Sequence, residues 1–379
     1  MAPAAAQPGV VASAPAAASA PVPATVPATP VPSAVSAQPH IALLLPLKSP
    51  SLQQAAEAVQ QGFLAANKVQ PGALPIRIYA VADEGKDVAA MYQEAVANGA
   101  RAVVGPLTPA GVVALAAHTT IAVPTLALNR AEVKPADKLY SFGLPLLEGE
   151  ARQVARLAAS NDAHGAVIIT TDTPLSRRLA QAFSDEWKKL GGDIAGTKIF
   201  TGDTGIFTDL PAEPGYMVFV AANAEKARMF RPFINTVLPV YATSQIFGGN
   251  ANTLINYDLY DVVFVDMPWL LEPDHAVVAR YPRANPPLEI DMERLYAIGI
   301  DAYRLVRVVI ESRQPAKLSL DGVTGKIRLG ANHVFEREAV MAEFNQGMGL
   351  TPAEQAALKA ARRAGAASAP VAVEPADVQ

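Results

Sequence analysis

From residue 40 onward, uninterrupted apolar runs alternate with amphipathic helical stretches, and this alternation limits the fold more than any other feature of the sequence. IALLLPL (41–47) has no polar face, as a strand covered on both sides requires. It is followed by SLQQAAEAVQQGFLAANK, in which Leu52, Ala56, Val59 and Phe63 fall on one helical stripe. IRIYAV (76–81), ARAVVG (100–105) and VPTLAL (123–128) read as further strands with helices between them. After LYSFGLP (139–145) the pattern starts again. A helix is expected over about 149–160, a strand at AVIITT (166–171) and a helix at LSRRLAQAFSDEWKKL (175–190), then strands near 194–200, 216–220 and 239–243, and then the run into VVFVDMPW. Such alternation implies parallel sheets joined by right-handed crossovers, and two successive sets imply two lobes. The expected class is therefore α/β, with a doubly wound parallel sheet in each lobe.

The ends have a different character. Residues 1–39 contain nine prolines, fourteen alanines and no charged side chain, which suits an extended, partly polyproline tether. A folded unit is expected over 40–348. Its first lobe would comprise about 40–145 plus 270–315 and its second about 146–266 plus 316–348, with crossovers between them. A short helix and flexible tail would fill 349–379. The late amphipathic helix MERLYAIGIDAYRLVRVVIES carries Leu295, Ile298, Ala302, Leu305 and Val309 at steps of three and four, and suits a chain that recrosses to the first lobe. VVFVDMPWLL (262–271) then marks the crossing, with Pro268 ending a buried strand and Trp269 packed at the hinge or cleft.

Several function classes fail on composition. The net charge is −4, so nothing draws the chain to nucleic acid. There is no cysteine, which removes disulfides, thiolate metal sites, a cysteine nucleophile and a lipid-modified cysteine within these residues. The opening residues lack the basic and apolar regions of a secretory signal. The five histidines are scattered without an HExxH pair, and no GxSxG elbow precedes a helix. GVTGKI (322–327) reads as a tight turn rather than a phosphate loop. Asp258, Asp261 and Asp266, and likewise Asp83 with Glu84, read as solvated or paired carboxylates, so no catalytic, cofactor or metal site is expected.

Three stretches repeat one device. KSPSLQQ, LTPAGVV and DTPLSRR each place Ser or Thr at a helix N-cap with Pro at the first helical position, directly after a strand. These ends should lie at the carboxyl edges of the sheets, where open α/β folds bind ligands and helix N–H groups attract anions. The candidate cleft is accordingly Ser49, Leu107, Thr108, Asn129, Thr171, Thr173, Asn223, Ser244 and Trp269.

The two-lobed plan resembles the type I periplasmic-binding-protein fold. VVGPLTPAGVVAL, PTLALN, YATSQ with DMPWLL, LYAIGIDAY, DGVTGKI and FEREAVMAEFNQG together resemble the LppC/LpoA family of penicillin-binding-protein activators, in order across 41–347. The resemblance implies a non-enzymatic regulator of a bifunctional class A penicillin-binding protein in peptidoglycan synthesis. It also implies a place in the periplasm at the inner face of the outer membrane, with membrane attachment only through a lipid anchor that these residues do not contain. The helical-repeat domain of long family members is likewise absent from this sequence. A small ligand or peptidoglycan fragment in the cleft is a further expectation. The alternative is a periplasmic solute receptor for an amino acid or short peptide. For that role Thr108 and Thr173 would supply donors to a carboxylate.

Overall fold

The computed structural model describes residues 37–133, 136–143, 146–211, 213–311 and 318–367. The expected tether falls almost wholly outside them, as does the tail beyond 367. Strand β1 (His40–Leu45) lies inside a five-stranded sheet with β2 (Ile76–Ala80), β3 (Ala100–Val104), β4 (Thr125–Ala127) and β5 (Leu139–Ser141). Their spatial order is β2-β1-β3-β4-β5 and every pairing is parallel. All six residues of β1 are buried, which is why its sequence carries no polar alternation. Helices α1 (Gln53–Val69), α2 (Glu84–Ala97) and α3 (Pro109–His118) make the crossovers.

The second set begins with α4 (Leu146–Ser160). Strands β6 (Gly165–Thr171), β7 (Asp193–Phe200), β8 (Tyr216–Ala221), β9 (Val240–Ala242) and β10 (Val262–Asp266) pair in parallel, with α5 (Pro174–Lys189) and α6 (Ala224–Phe230) between them. β7 is the edge strand, and its alternating exposure matches the alternation of DIAGTKIF. The chain is thus a two-lobed α/β fold of the periplasmic-binding-protein type, with a parallel sheet at the centre of each lobe.

The crossing at 262–271 is sharp. Phe264 belongs to the second lobe's core, Met267 and Trp269 to the first lobe's core, and Leu271 to the second again. Pro268 is buried at the first turn of the short helix α7 (Pro268–Leu271). VVFVDMPWLL is therefore a structural joint. The long helix α8 (Ile290–Glu311) then packs along α1 in the first lobe's core. The two helices meet backbone to backbone. A Cβ on Gly62 would stand 1.9 Å from the Tyr296 carbonyl oxygen, and one on Gly299 would stand 2.1 Å from that of Val59. Phe63 and Tyr303 close the contact edge to face, their centroids 5.2 Å apart.

The last part of the chain divides differently from the expectation. β11 (Ser319–Gly322), β12 (Gly325–Leu329) and β13 (Phe335–Glu338) form a separate antiparallel sheet. Its Val323, Ile327 and Phe335 enter the first lobe's core rather than the second's. Asp301 on α8 adds a polar tie to these apolar contacts. This buried carboxylate accepts from the Val323 and Thr324 N–H groups at 3.2 and 2.8 Å and from the Thr324 hydroxyl at 2.7 Å, which holds the hairpin against the first lobe. β14 (Val340–Asn345) and β15 (Met348–Leu350) alone join the second sheet, antiparallel beside β10. Helix α9 (Pro352–Ala367) follows on β14 and β15. No helix among the described residues is long and apolar enough to cross a membrane.

Candidate functional site

Four charged side chains from four segments meet where the lobes join. Arg294, in the first turns of α8, donates to Asp266 at 2.6 Å and to Asp291 at 2.6 Å. It also donates to the Ser244 and Phe247 carbonyls at 3.1 and 2.8 Å. Asp266 ends β10, is fully buried, and accepts its neighbour Met267's N–H at 2.7 Å. Glu150 on α4 accepts the Ser244 N–H at 2.9 Å and pairs with Arg337 of β13 at 3.2 Å. Beside this network lies a cavity of about 600 Å³, lined by Asn223, Ser244, Phe247, Met267 and Ile298 together with Glu150, Arg294 and Arg337. The size suits a small ligand.

Burial sets the electrostatics. Desolvation raises the Glu150 carboxyl to about 6; Arg337 opposes the rise, and the nearby Asp266 charge adds to it. Desolvation likewise lowers Arg337, whose side chain is 2% exposed, against the attraction of Glu150 and Asp266. The pair therefore repays only part of its own desolvation. For Arg294 burial alone would lower the pKa, but the Asp266 charge and its hydrogen bonds outweigh burial and raise it.

The residues expected to form the cleft do not gather at this cavity. Only Asn223 and Ser244 line it. Asn223 caps α6 through the Lys226 N–H at 3.0 Å, and the backbone of Ser244 links Glu150 to Arg294. Thr108 and Thr173 are N-caps with Pro at the first helical position, accepting from Gly111 and Ser176 at 3.0 and 3.1 Å. Thr171 donates its N–H to the Ser176 hydroxyl at 2.8 Å, and its own hydroxyl lies 3.4 Å from that of Thr173. Ser49 does not cap α1. Its carbonyl, not its side chain, accepts the Leu52 and Gln53 N–H groups, and the helix starts at Gln53 with Leu52 as an N-cap that makes no side-chain bond. Trp269 is fully buried, donating to Glu293 at 2.6 Å with the Arg283 guanidinium 3.8 Å above its ring.

The anion-gripping donors expected at the first lobe's edge are taken. Glu84, itself buried, accepts the Leu107 N–H at 2.8 Å, the Thr108 N–H at 2.7 Å and the Thr108 hydroxyl at 2.6 Å. Asn129 ties the same turn by donating to the Leu107 carbonyl at 2.9 Å. The potential of the α3 N-terminus thus falls on the chain's own carboxylate. Glu84's carboxyl is raised by desolvation, partly offset by these bonds. Among the described residues no group of three or more His, Asp or Glu is placed to hold a metal.

Sequence reading missed Glu150, Arg294 and Arg337. One signal was available: Arg294, Ile298, Asp301 and Leu305 follow steps of four and three, so two charges sit on a stripe that otherwise faces the core.

The model of the LppC lipoprotein family matches residues 19–210 and 213–347, most of the chain. The chain belongs to the LppC family. Two LppC relatives described as penicillin-binding protein activator LpoA are those of Photobacterium profundum, 25% identical, and Edwardsiella piscicida, 26% identical. The matches cover 83% and 74% of this chain, and 57% and 47% of theirs. The chain thus spans about half the length of the curated relatives it matches. In the solved C-domain of LpoA from Haemophilus influenzae, described as a regulator of PBP1A, the fold recurs with a TM-score of 0.70 at 22% identity, covering 82% of this chain and 99% of that one. A Chromobacterium violaceum protein described as a branched-chain amino acid ABC transporter is 37% identical with a TM-score of 0.71, covering 81% of this chain and all of its own.

Proposed function

We propose that this LppC-family protein is a non-enzymatic regulator that binds a bifunctional class A penicillin-binding protein and stimulates peptidoglycan synthesis at the periplasmic face of the outer membrane. The match of the LppC model across most of the chain carries this reading, because the relatives it joins are named activators of penicillin-binding proteins. The geometry at residues 107–108 supports it. A receptor for a free amino acid would use donors at that edge for the ligand's carboxylate, and here Glu84 holds them. The regulator would act through its surface rather than through chemistry of its own.

The full chain, added to its class A synthase on lipid II, should raise the rate of glycan polymerisation or cross-linking, and Thr108→Ala should leave that stimulation intact. No change in rate would overturn the reading. The second reading, a solute receptor of a transport system, is favoured by the 37% identity to the Chromobacterium violaceum protein. It predicts strong thermal stabilisation by one amino acid without an effect on the synthase, since a ligand at a hundredfold its Kd stabilises by about 2.7 kcal/mol.

A further inference from the structure

The Glu150–Arg337 pair lines two cavities, the one beside Asn223 and Ser244 and a second of about 830 Å³. The second lies between Ser141 at the end of β5, one side of α4 and the β12–β13 ladder. Its walls carry six Arg or Lys side chains against four carboxylates. Two of the cations are spent on ion pairs, Arg156 with Glu186 at 2.6 Å and Arg337 with Glu150 at 3.2 Å. Lys326 and Arg328 stand opposite Glu338 and Glu336 across the ladder. Neither these two cations nor Arg130 and Arg152 form an ion pair among the described residues, and six cations against four carboxylates leave two positive charges in excess.

A second observation points the same way. The Arg337 side chain is 2% exposed, and while one arm of its fork donates to Glu150, Nη1 has no partner among the described residues. Buried polar groups are nearly always paired, and a guanidinium fork is shaped for a carboxylate. The lining also includes Glu336 and Glu338, which suit an ammonium.

We propose that this cavity binds a short acidic peptide with a free amino group and an excess of about two carboxylates, the number that would balance its walls. Arg130 and Arg152 take the carboxylates, the β13 acids take the ammonium, and the free arm of Arg337 takes an oxygen when the lobes adjust around the ligand. The site does not rest on the activator reading, and its failure would leave that reading standing.

Isothermal titration of the full chain at low salt with the tripeptide Ala-Glu-Glu, its C-terminal amide and Ala-Gln-Gln tests it. Ala-Glu-Glu should bind, and each neutralised carboxylate should weaken binding by about tenfold or more, as expected for a lost charge-assisted bond. Arg130→Glu with Arg152→Glu should abolish binding while leaving the melting transition within a few degrees of the parent, since neither residue has an ion-pair partner among the described residues. Arg337→Lys, which keeps the charge and loses the fork, should weaken it less. No binding of Ala-Glu-Glu, equal affinity for Ala-Gln-Gln, or indifference to the double reversal would each overturn the proposal. So would saturable binding of inorganic phosphate with none of the peptide.

Discussion

Two turns near the first lobe and one junction between the lobes treat charge in opposite ways. At residues 107–108 and 323–324, backbone N–H groups and a threonine hydroxyl converge on a carboxylate, and in both places it is the chain's own, Glu84 or Asp301. Donor and acceptor come from the same lobe, and every bond is made within it. At the junction the side chains of Glu150 and Arg337 are also buried, but one arm of the Arg337 fork has no partner among the described residues. A closed turn contributes rigidity at a fixed place. An incompletely satisfied pair is where a change in lobe geometry, pH or ligand can still alter the balance of energies.

The largest effect is expected where a closed turn is opened. Asp301→Ala leaves Arg304, which pairs with it at 2.8 Å, beside two uncompensated N–H groups in the core. It should cost about 3–5 kcal/mol, read from urea denaturation followed by circular dichroism. A loss under about 1 kcal/mol would show that the hairpin is held by its apolar contacts alone.

The junction predicts a pH signature instead. Glu150's folded pKa, about 6, lies above its ordinary 4.5, so the protonated form is favoured by folding. Its contribution is fully present below about pH 4.5 and is lost as pH rises through about 6. Relative to Glu150→Gln, the parent should therefore lose about 2 kcal/mol of stability across that window. Parallel stability curves for the two proteins would remove the contrast drawn here.

The smallest effect separates two caps of one design. Thr173→Ala removes an exposed cap and should cost about 1 kcal/mol, whereas Thr108→Ala also removes a bond to buried Glu84 and should cost about 2 kcal/mol. Equal costs in the same denaturation assay would mean that Glu84 contributes nothing through the hydroxyl.

The strands were legible because a covered parallel strand carries a near-continuous apolar run, and β1 and β6 are buried along their whole lengths with polar residues only at their ends. Thr108 and Thr173 were legible as caps because a cap is a local event, settled within three residues. Ser49 showed the limit of that logic, since an extra turn at 49–52 separates it from the helix. The destination of the 319–329 hairpin was not legible, because it depends on distant contacts, among them that to Asp301, a buried acid in a helix whose partner lies more than twenty residues away. The charged junction was missed for the same reason. Glu150, Asp266, Arg294 and Arg337 are far apart in the chain, and only the crossovers bring them together. Where the cleft residues were expected, sequence located the ends of strands but not which donors the protein had already used.

The glycine contact between α1 and α8 has a mechanical consequence. Arg294 and Asp301 are seven residues apart, two helical turns or about 10 Å along one side of α8. One anchors the end of β10 and the other anchors the hairpin. Gly62 and Gly299 seat α8 directly on the backbone of α1, so a side chain at either position would have to push the helices apart. A load applied to the second lobe therefore reaches α8 through Asp266, and the chain passes between the lobes there through single-residue links at Met267 and Ala339.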